Sequence, residues 1–258
     1  MICLSRKEPG KPAGEWERGK MLLWVAAAIA AYFVKGLCGF ANTLVFTSIL
    51  SFGASNANIS PIDLLLGYPT NVILTWNNRK RLDPKVYLPL AALVLAGSIP
   101  GALMLKNVDA RVIKILFGVV VIALGAEMLL REYSKKRAHS SKWLLGLIGI
   151  VAGMLCGLFG VGALLAAYIS RVTEDGDSFK ANISAVFIAD NTFRIVLYSV
   201  LGLLTLDTLK QVVLLLPFGL IGLFAGMKCS RVINESLARK ITSILLVLSG
   251  VSLILTNL

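Results

Sequence analysis

Gly97, Gly101 and Gly125 recur as Gly222, Gly226 and Gly250 at one constant displacement along the chain. The segments around them run in step, GSIPGALMLKNVDARVIKILFGVVVIALG against GLFAGMKCSRVINESLARKITSILLVLSG, with Lys106 falling on Arg231 and Lys114 on Arg239. The chain reads as a duplication. In an apolar chain this is the plan of a transporter, whose two halves move against each other around a central site.

Hydrophobic residues make up 57% of the 258 positions and charged ones 16%, so most segments lack the polar face that a soluble helix needs. Apolar runs long enough to span a bilayer follow one another, divided by short basic or polar connections, which places the chain in the all-α, polytopic membrane class. The formal charge of +12 collects in those connections, where topology and anionic headgroups account for it and nucleic acid is excluded as a partner. Cys3, Cys38, Cys156 and Cys229 form no CxxC pair and no zinc spacing, so neither a metal nor a disulfide framework is expected.

Residues 1–20 read as a flexible, charged tail. The apolar run that follows has a counterpart in the second half, which a cleaved signal would lack, so it belongs to the mature fold. Each half carries four apolar elements, 21–52, 61–76, 86–105 and 112–130, then 143–170, 183–204, 209–227 and 237–255. The expected organisation is a first repeat over 21–130, a basic linker over 131–142 that holds Lys135, Lys136, Arg137 and the sole His139, and a second repeat over 143–258.

The first element of each half has an awkward length. As a straight helix, 21–52 would extend roughly 48 Å, well beyond a hydrocarbon core of about 30 Å, yet it is too short for two crossings and a turn. Both first elements carry glycines in their middle, Gly36-Leu37-Cys38-Gly39-Phe40-Ala41-Asn42 and then Gly153 to Gly162. A break there exposes backbone N–H and C=O groups that lipid cannot satisfy and a bound ion can, and a half-helix N-terminus suits an anion. Close helix packing is the competing reading of the same glycines. If both first elements are re-entrant the repeats are inverted; if they cross fully the repeats are parallel. The basic residues divide between the two faces equally well either way, and element length favours re-entry.

Charges and amides within apolar runs are costly unless paired or turned to a wet cavity, which makes them the candidate site residues. Arg194 stands in the middle of 183–204, with Asp190 one helical turn before it as charge partner or coupling group; an ion pair closed on itself is the competing reading. Asn191 matches Asn71 in the other half, a pair of amides in equivalent positions. Lys35 directly precedes the first break, and Asn42 follows it as a hydrogen-bonding group or a helix cap. Gly39, Gly157 and Gly160 offer backbone amides at the two breaks. Cys38 and Cys156 occupy matching places and read as small residues at a tight turn. Arg79, Lys80 and Arg81 read as topology determinants, with attraction of anions to an entrance as the second reading.

Enzyme signatures are absent: the chain has one His, no HExxH, no nucleophile elbow in a plausible setting and no P-loop. No cofactor is implied.

Taken together, the early break at Gly36-Leu37-Cys38-Gly39-Phe40, the run Asn78-Arg79-Lys80-Arg81-Leu82-Asp83, the Gly97 to Gly101 segment with its following apolar span, and the second-half copy resemble the TauE/SafE sulfite exporter family, also called the toluene-sulfonate uptake permease family. The likeness covers nearly the whole chain after Met21. It departs at the first break, where Gly39-Phe40-Ala41-Asn42 stands in place of a glycine run, while Gly157 to Gly162 stays closer to the family pattern. The resemblance implies an internally duplicated carrier of sulfite, sulfonates and related small anions.

The expected function is therefore a secondary transporter for a small sulfur-containing anion in the cell (inner) membrane, with a channel-like or non-transport scaffold subunit as the alternative. Lys35 and Arg194 supply charge, Asn42, Asn71 and Asn191 hydrogen-bond the anion's oxygens, and the glycine breaks present amides. Its partners are the anion and the surrounding lipid, and self-association into a homo-oligomer stays open.

Overall fold

The computed structural model describes residues 13–50, 56–104, 163–173, 175–200 and 204–232, with Gly202 and single helical positions within 115–130 and 237–255. Among these the architecture is helical throughout: α1 (Ala13–Cys38), α2 (Asn42–Leu50), α3 (Asn56–Asn77), a 3-10 turn (Arg79–Arg81), α4 (Pro84–Met104), α5 (Ala163–Val172), α6 (Gly176–Val200) and α7 (Leu206–Val232). Among the described residues, three stretches are long and apolar enough to cross a membrane, Met21–Cys38, Gly176–Val200 and Leu206–Val232. The linker 131–142 and the second glycine break, 153–162, lie outside the described residues.

The first break falls where the sequence places it. The amide of Gly39 still donates to the Lys35 carbonyl at 2.6 Å, closing α1, and the chain then turns through positive φ at Gly39 (87°) and Ala41 (72°) before α2 opens at Asn42. Glycine adopts that geometry freely, whereas at Ala41 it costs on the order of 1–2 kcal/mol, a strain that the packing of a buried turn must offset. The two arms are unequal: α1 has 26 residues and α2 has 9. α1 begins at Ala13, inside the stretch whose composition reads as a tail.

α1 and α7 run parallel and touch through glycines. Cβ atoms at Gly222 and Gly226 would strike the carbonyls of Ile29 and Phe33, and one at Gly36 would strike that of Leu223, so the backbones meet at distances no side chain permits. On the same helix Val213, Ile221 and Phe224 are 71%, 60% and 50% exposed. Small residues turned inward and bulky apolar ones outward is the arrangement lipid favours.

α3 and α6 run antiparallel. Ser60 meets Tyr198 at 3.1 Å, Tyr68 meets Thr192 at 3.5 Å, and at the far end the Asn182 amide donates to the Arg81 carbonyl at 3.4 Å. The fourth elements also meet antiparallel, with Gly118 against Gly250 and Ile254, and Gly125 against Ser243 and Val247. Asp175 caps α6, its carboxylate accepting from the Ser178 amide at 2.7 Å, so the helix starts at Gly176, ahead of its apolar run.

Candidate functional site

Lys35 lies in the last turn of α1 and is 1% exposed. Its ammonium donates to the Gly67 carbonyl at 3.3 Å and sits 5.6 Å from the centre of the Tyr32 ring. Gly67 occupies the turn of α3 before Pro69, whose missing N–H disturbs the local ladder, and Thr70 donates to the same carbonyl at 2.7 Å. Glycine's lack of a side chain leaves a small opening there. A Cβ at Gly67 would stand 3.5 Å from Asn191 Nδ2 and 3.9 Å from both Asn42 Nδ2 and Lys35 Nζ. Three nitrogen donors from α1, α2 and α6 thus converge on one point.

Asp63, 4% exposed, organises this corner. Its carboxylate accepts from Asn42 Nδ2 at 3.0 Å, from Tyr32 Oη at 3.1 Å and from the Thr43 hydroxyl. One acidic side chain in α3 therefore fixes α1, the turn after the break and the start of α2. A carboxylate bonded by three donors is well satisfied in a low-dielectric interior.

Arg194 extends across the same cavity from α6. Its guanidinium donates to Tyr198 Oη at 2.8 Å and to Ser60 Oγ at 3.3 Å, and lies 5.2 Å from the Tyr198 ring centre. Asp190, one turn earlier, accepts from Ser98 Oγ of α4 at 2.7 Å.

The cavity is lined by Lys35, Asn42, Asp63, Gly67, Asn191 and Arg194, with Thr43, Leu64, Asn71 and Phe187 completing the wall. The cavity volume is about 20 Å³, room for roughly one water molecule. In this conformation the polar groups are drawn together.

Of the residues singled out from sequence, Lys35, Asn42, Asn71, Asn191 and Arg194 come together around one cavity. Gly39 and Asp190 do not line it: a Cβ at Gly39 would meet the Lys180 side chain, and Asp190 faces α4. Gly157 and Gly160 lie outside the described residues. Sequence reasoning missed Asp63, Thr43, Ser60, Tyr32 and Tyr198. An acid inside the apolar element 61–76 was the available signal for Asp63. Among the described residues no cluster of His, Cys, Asp and Glu could hold a metal ion.

The family model described as "Sulfite exporter TauE/SafE" matches residues 24–253. The chain belongs to the TauE/SafE sulfite exporter family. As a member of that family it is a multi-pass membrane transporter of small anions and not an enzyme. No curated protein and no solved structure matches the chain. Within the TauE/SafE match, every described residue of the cavity falls inside 24–253.

Proposed function

We propose that this chain is a secondary transporter that carries a small sulfur oxyanion, of the sulfite or sulfonate class, across the cell membrane. The observation that carries the reading is the convergence of Lys35 Nζ, Asn42 Nδ2 and Asn191 Nδ2 on the open face of Gly67, in a cavity that also holds the Arg194 guanidinium. Hydrogen-bond donors gathered from separate helices around one point suit an acceptor-only oxyanion, and in a low-dielectric setting they need no water to do so. With Lys35, Arg194 and Asp63 all ionised the lining carries one net positive charge, which matches a monoanion such as a sulfonate or hydrogensulfite.

The two halves are read as inverted repeats. Antiparallel contact between α3 and α6, which are equivalent elements, supports this, as does antiparallel contact between the two fourth elements. A two-fold axis in the membrane plane produces such pairs, whereas parallel repeats would align them. Gly67 lies half-way along α3, and Lys35 reaches it, so α1 ends near mid-depth; this supports a re-entrant first element. On such an axis Asn71 and Asn191 are the shared amides, while Lys35 and Asp63 come from the first half and Arg194 from the second. Transport then consists of the halves rocking about the cavity, opening it alternately to each side.

Purified protein in liposomes tests the reading. Saturable uptake of labelled sulfite or methanesulfonate, accelerated by the same anion trapped inside, is expected. Flux without saturation or counterflow would make the protein a channel, and no flux would leave the cavity a structural feature.

A further inference from the structure

The polar groups between α3 and α6 are bonded more fully on one side of the cavity than on the other. Toward the start of α3, Ser60, Tyr198 and Arg194 bond one another, and Asp63 is held by Tyr32, Asn42 and Thr43. Toward its end, three buried side-chain oxygens have no hydrogen-bond partner among the described residues: Asn71 Oδ1, Thr75 Oγ1 and Ser184 Oγ. Asn71 and Ser184 are 1% and 0% exposed. Gly67, Asn71 and Thr75 recur every fourth residue and so form one face of α3. The antiparallel register runs from the Gly67 and Asn191 contact at the cavity to the Arg81 and Asn182 contact at the helix end, and these two contacts bracket Thr75 on α3 and Ser184 on α6. The three orphaned oxygens therefore lie along the seam between the cavity wall and the Arg79–Arg81 turn.

Buried polar groups in a membrane protein are satisfied internally, except where they border a water-filled route. We infer that the α3–α6 seam, from Asn71 past Thr75 and Ser184 to the Arg79–Arg81 turn, is the hydrated path by which the anion passes between the cavity and that face of the membrane. The inference rests on the anion-carrier reading. The chemistry along the seam fits its cargo: two hydroxyls donate to a passing oxyanion without holding it by charge, and Arg79, Lys80 and Arg81, all exposed, draw anions to the mouth. The mouth is spanned by the Asn182 amide, bonded to the Arg81 carbonyl and to the Asp83 N–H, and by the exposed Arg81 and Asp175 ion pair at 3.6 Å. The exposed ion pair contributes little, and opening these contacts breaks no backbone hydrogen bond within either helix.

The test uses single cysteines in a background carrying Cys3→Ala, Cys38→Ala, Cys156→Ala and Cys229→Ala. Thr75→Cys and Ser184→Cys probe the seam, Val72→Cys and Val196→Cys serve as outward-facing controls on the same helices (41% and 60% exposed), and Lys80→Cys marks the membrane face. The probe is 2-sulfonatoethyl methanethiosulfonate, itself a small sulfonate, applied to membrane vesicles of each orientation. Thiolate, which the reaction needs, forms in water and not in lipid, so both seam positions should react at least about tenfold faster than the controls, from the side where Lys80→Cys reacts. Rates equal to those of Val72→Cys and Val196→Cys, or reaction from the opposite side alone, overturn the inference. Fast seam labelling in a protein that moves neither sulfite nor methanesulfonate upholds the hydrated seam and overturns the anion reading instead.

Discussion

Asn42 and Asp63 are joined by a hydrogen bond of 3.0 Å that ties the first residue of α2, immediately after the helix break, to the interior of α3. The same Asn42 nitrogen is one of the three that converge at Gly67. The contact that fixes the broken element thus also aims a donor into the cavity.

Asp63→Asn keeps the side chain's shape but sets an NH₂ group or a neutral oxygen before the Thr43, Tyr32 and Asn42 donors. Loss of charge-assisted bonds predicts a stability decrease of about 1–3 kcal/mol, read as a lower melting temperature of the detergent-solubilised protein. Transport should fall further than stability does, because Asn42 loses its aim. An unchanged melting temperature would mean that Asp63 does not anchor α2.

Arg194→Gln removes the guanidinium and its planar set of donors. Folded protein is expected in the membrane at near wild-type yield, with transport of sulfite abolished. If the variant instead fails to fold, and Asp190→Asn combined with it restores both folding and transport, Arg194 and Asp190 form a structural pair with no part in binding.

Gly226→Val brings a branched side chain against the Phe33 carbonyl of α1. Backbone contact leaves nothing flexible to yield, so α1 and α7 must separate and lose close packing along their shared face. Destabilisation of about 3 kcal/mol or more is expected, visible as a large fall in folded yield. Gly219→Ala, whose Cβ meets only the Tyr32 ring at 3.4 Å, should cost far less.

Topology is open to direct labelling. In the cysteine-free background, Gly19→Cys and Ser55→Cys should react with an impermeant thiol reagent from one and the same side, since a re-entrant first element returns the chain to its starting face. Residues 171–178 should face the side of the 131–142 linker. Reaction of Gly19→Cys and Ser55→Cys from opposite sides would mean full crossings and a parallel duplication.

Much of the candidate site was legible in the sequence because the membrane makes polarity expensive. Lys35, Asn71, Asn191 and Arg194 stand out against apolar neighbours, and all four reach the cavity. The break at Gly39 was legible from element length and glycine content. Asp63 was not, for a specific reason: near the start of an apolar run it resembles an acid at a helix N-terminus, yet α3 begins at Asn56 and carries it two turns into the helix. Ser60 and Tyr198 are ordinary membrane-helix residues until the antiparallel register of α3 and α6 brings them to Arg194. Gly39 shows the limit of reading glycines alone: it makes the turn, while Gly67, with no break to announce it, leaves the opening.

The central claim is that the anion binds where Lys35, Asn42 and Asn191 meet at Gly67, and Gly67→Ala tests it most directly. The added methyl would sit at 3.5 Å or more from its nearest neighbours, an ordinary contact distance, so fold and melting temperature should stay near wild type while the meeting point is filled. Counterflow of labelled sulfite into proteoliposomes is the measurement. The account predicts that folded Gly67→Ala loses at least about tenfold in transport efficiency, the equivalent of some 1.4 kcal/mol of binding. Wild-type counterflow by the folded variant would contradict it and place the anion elsewhere.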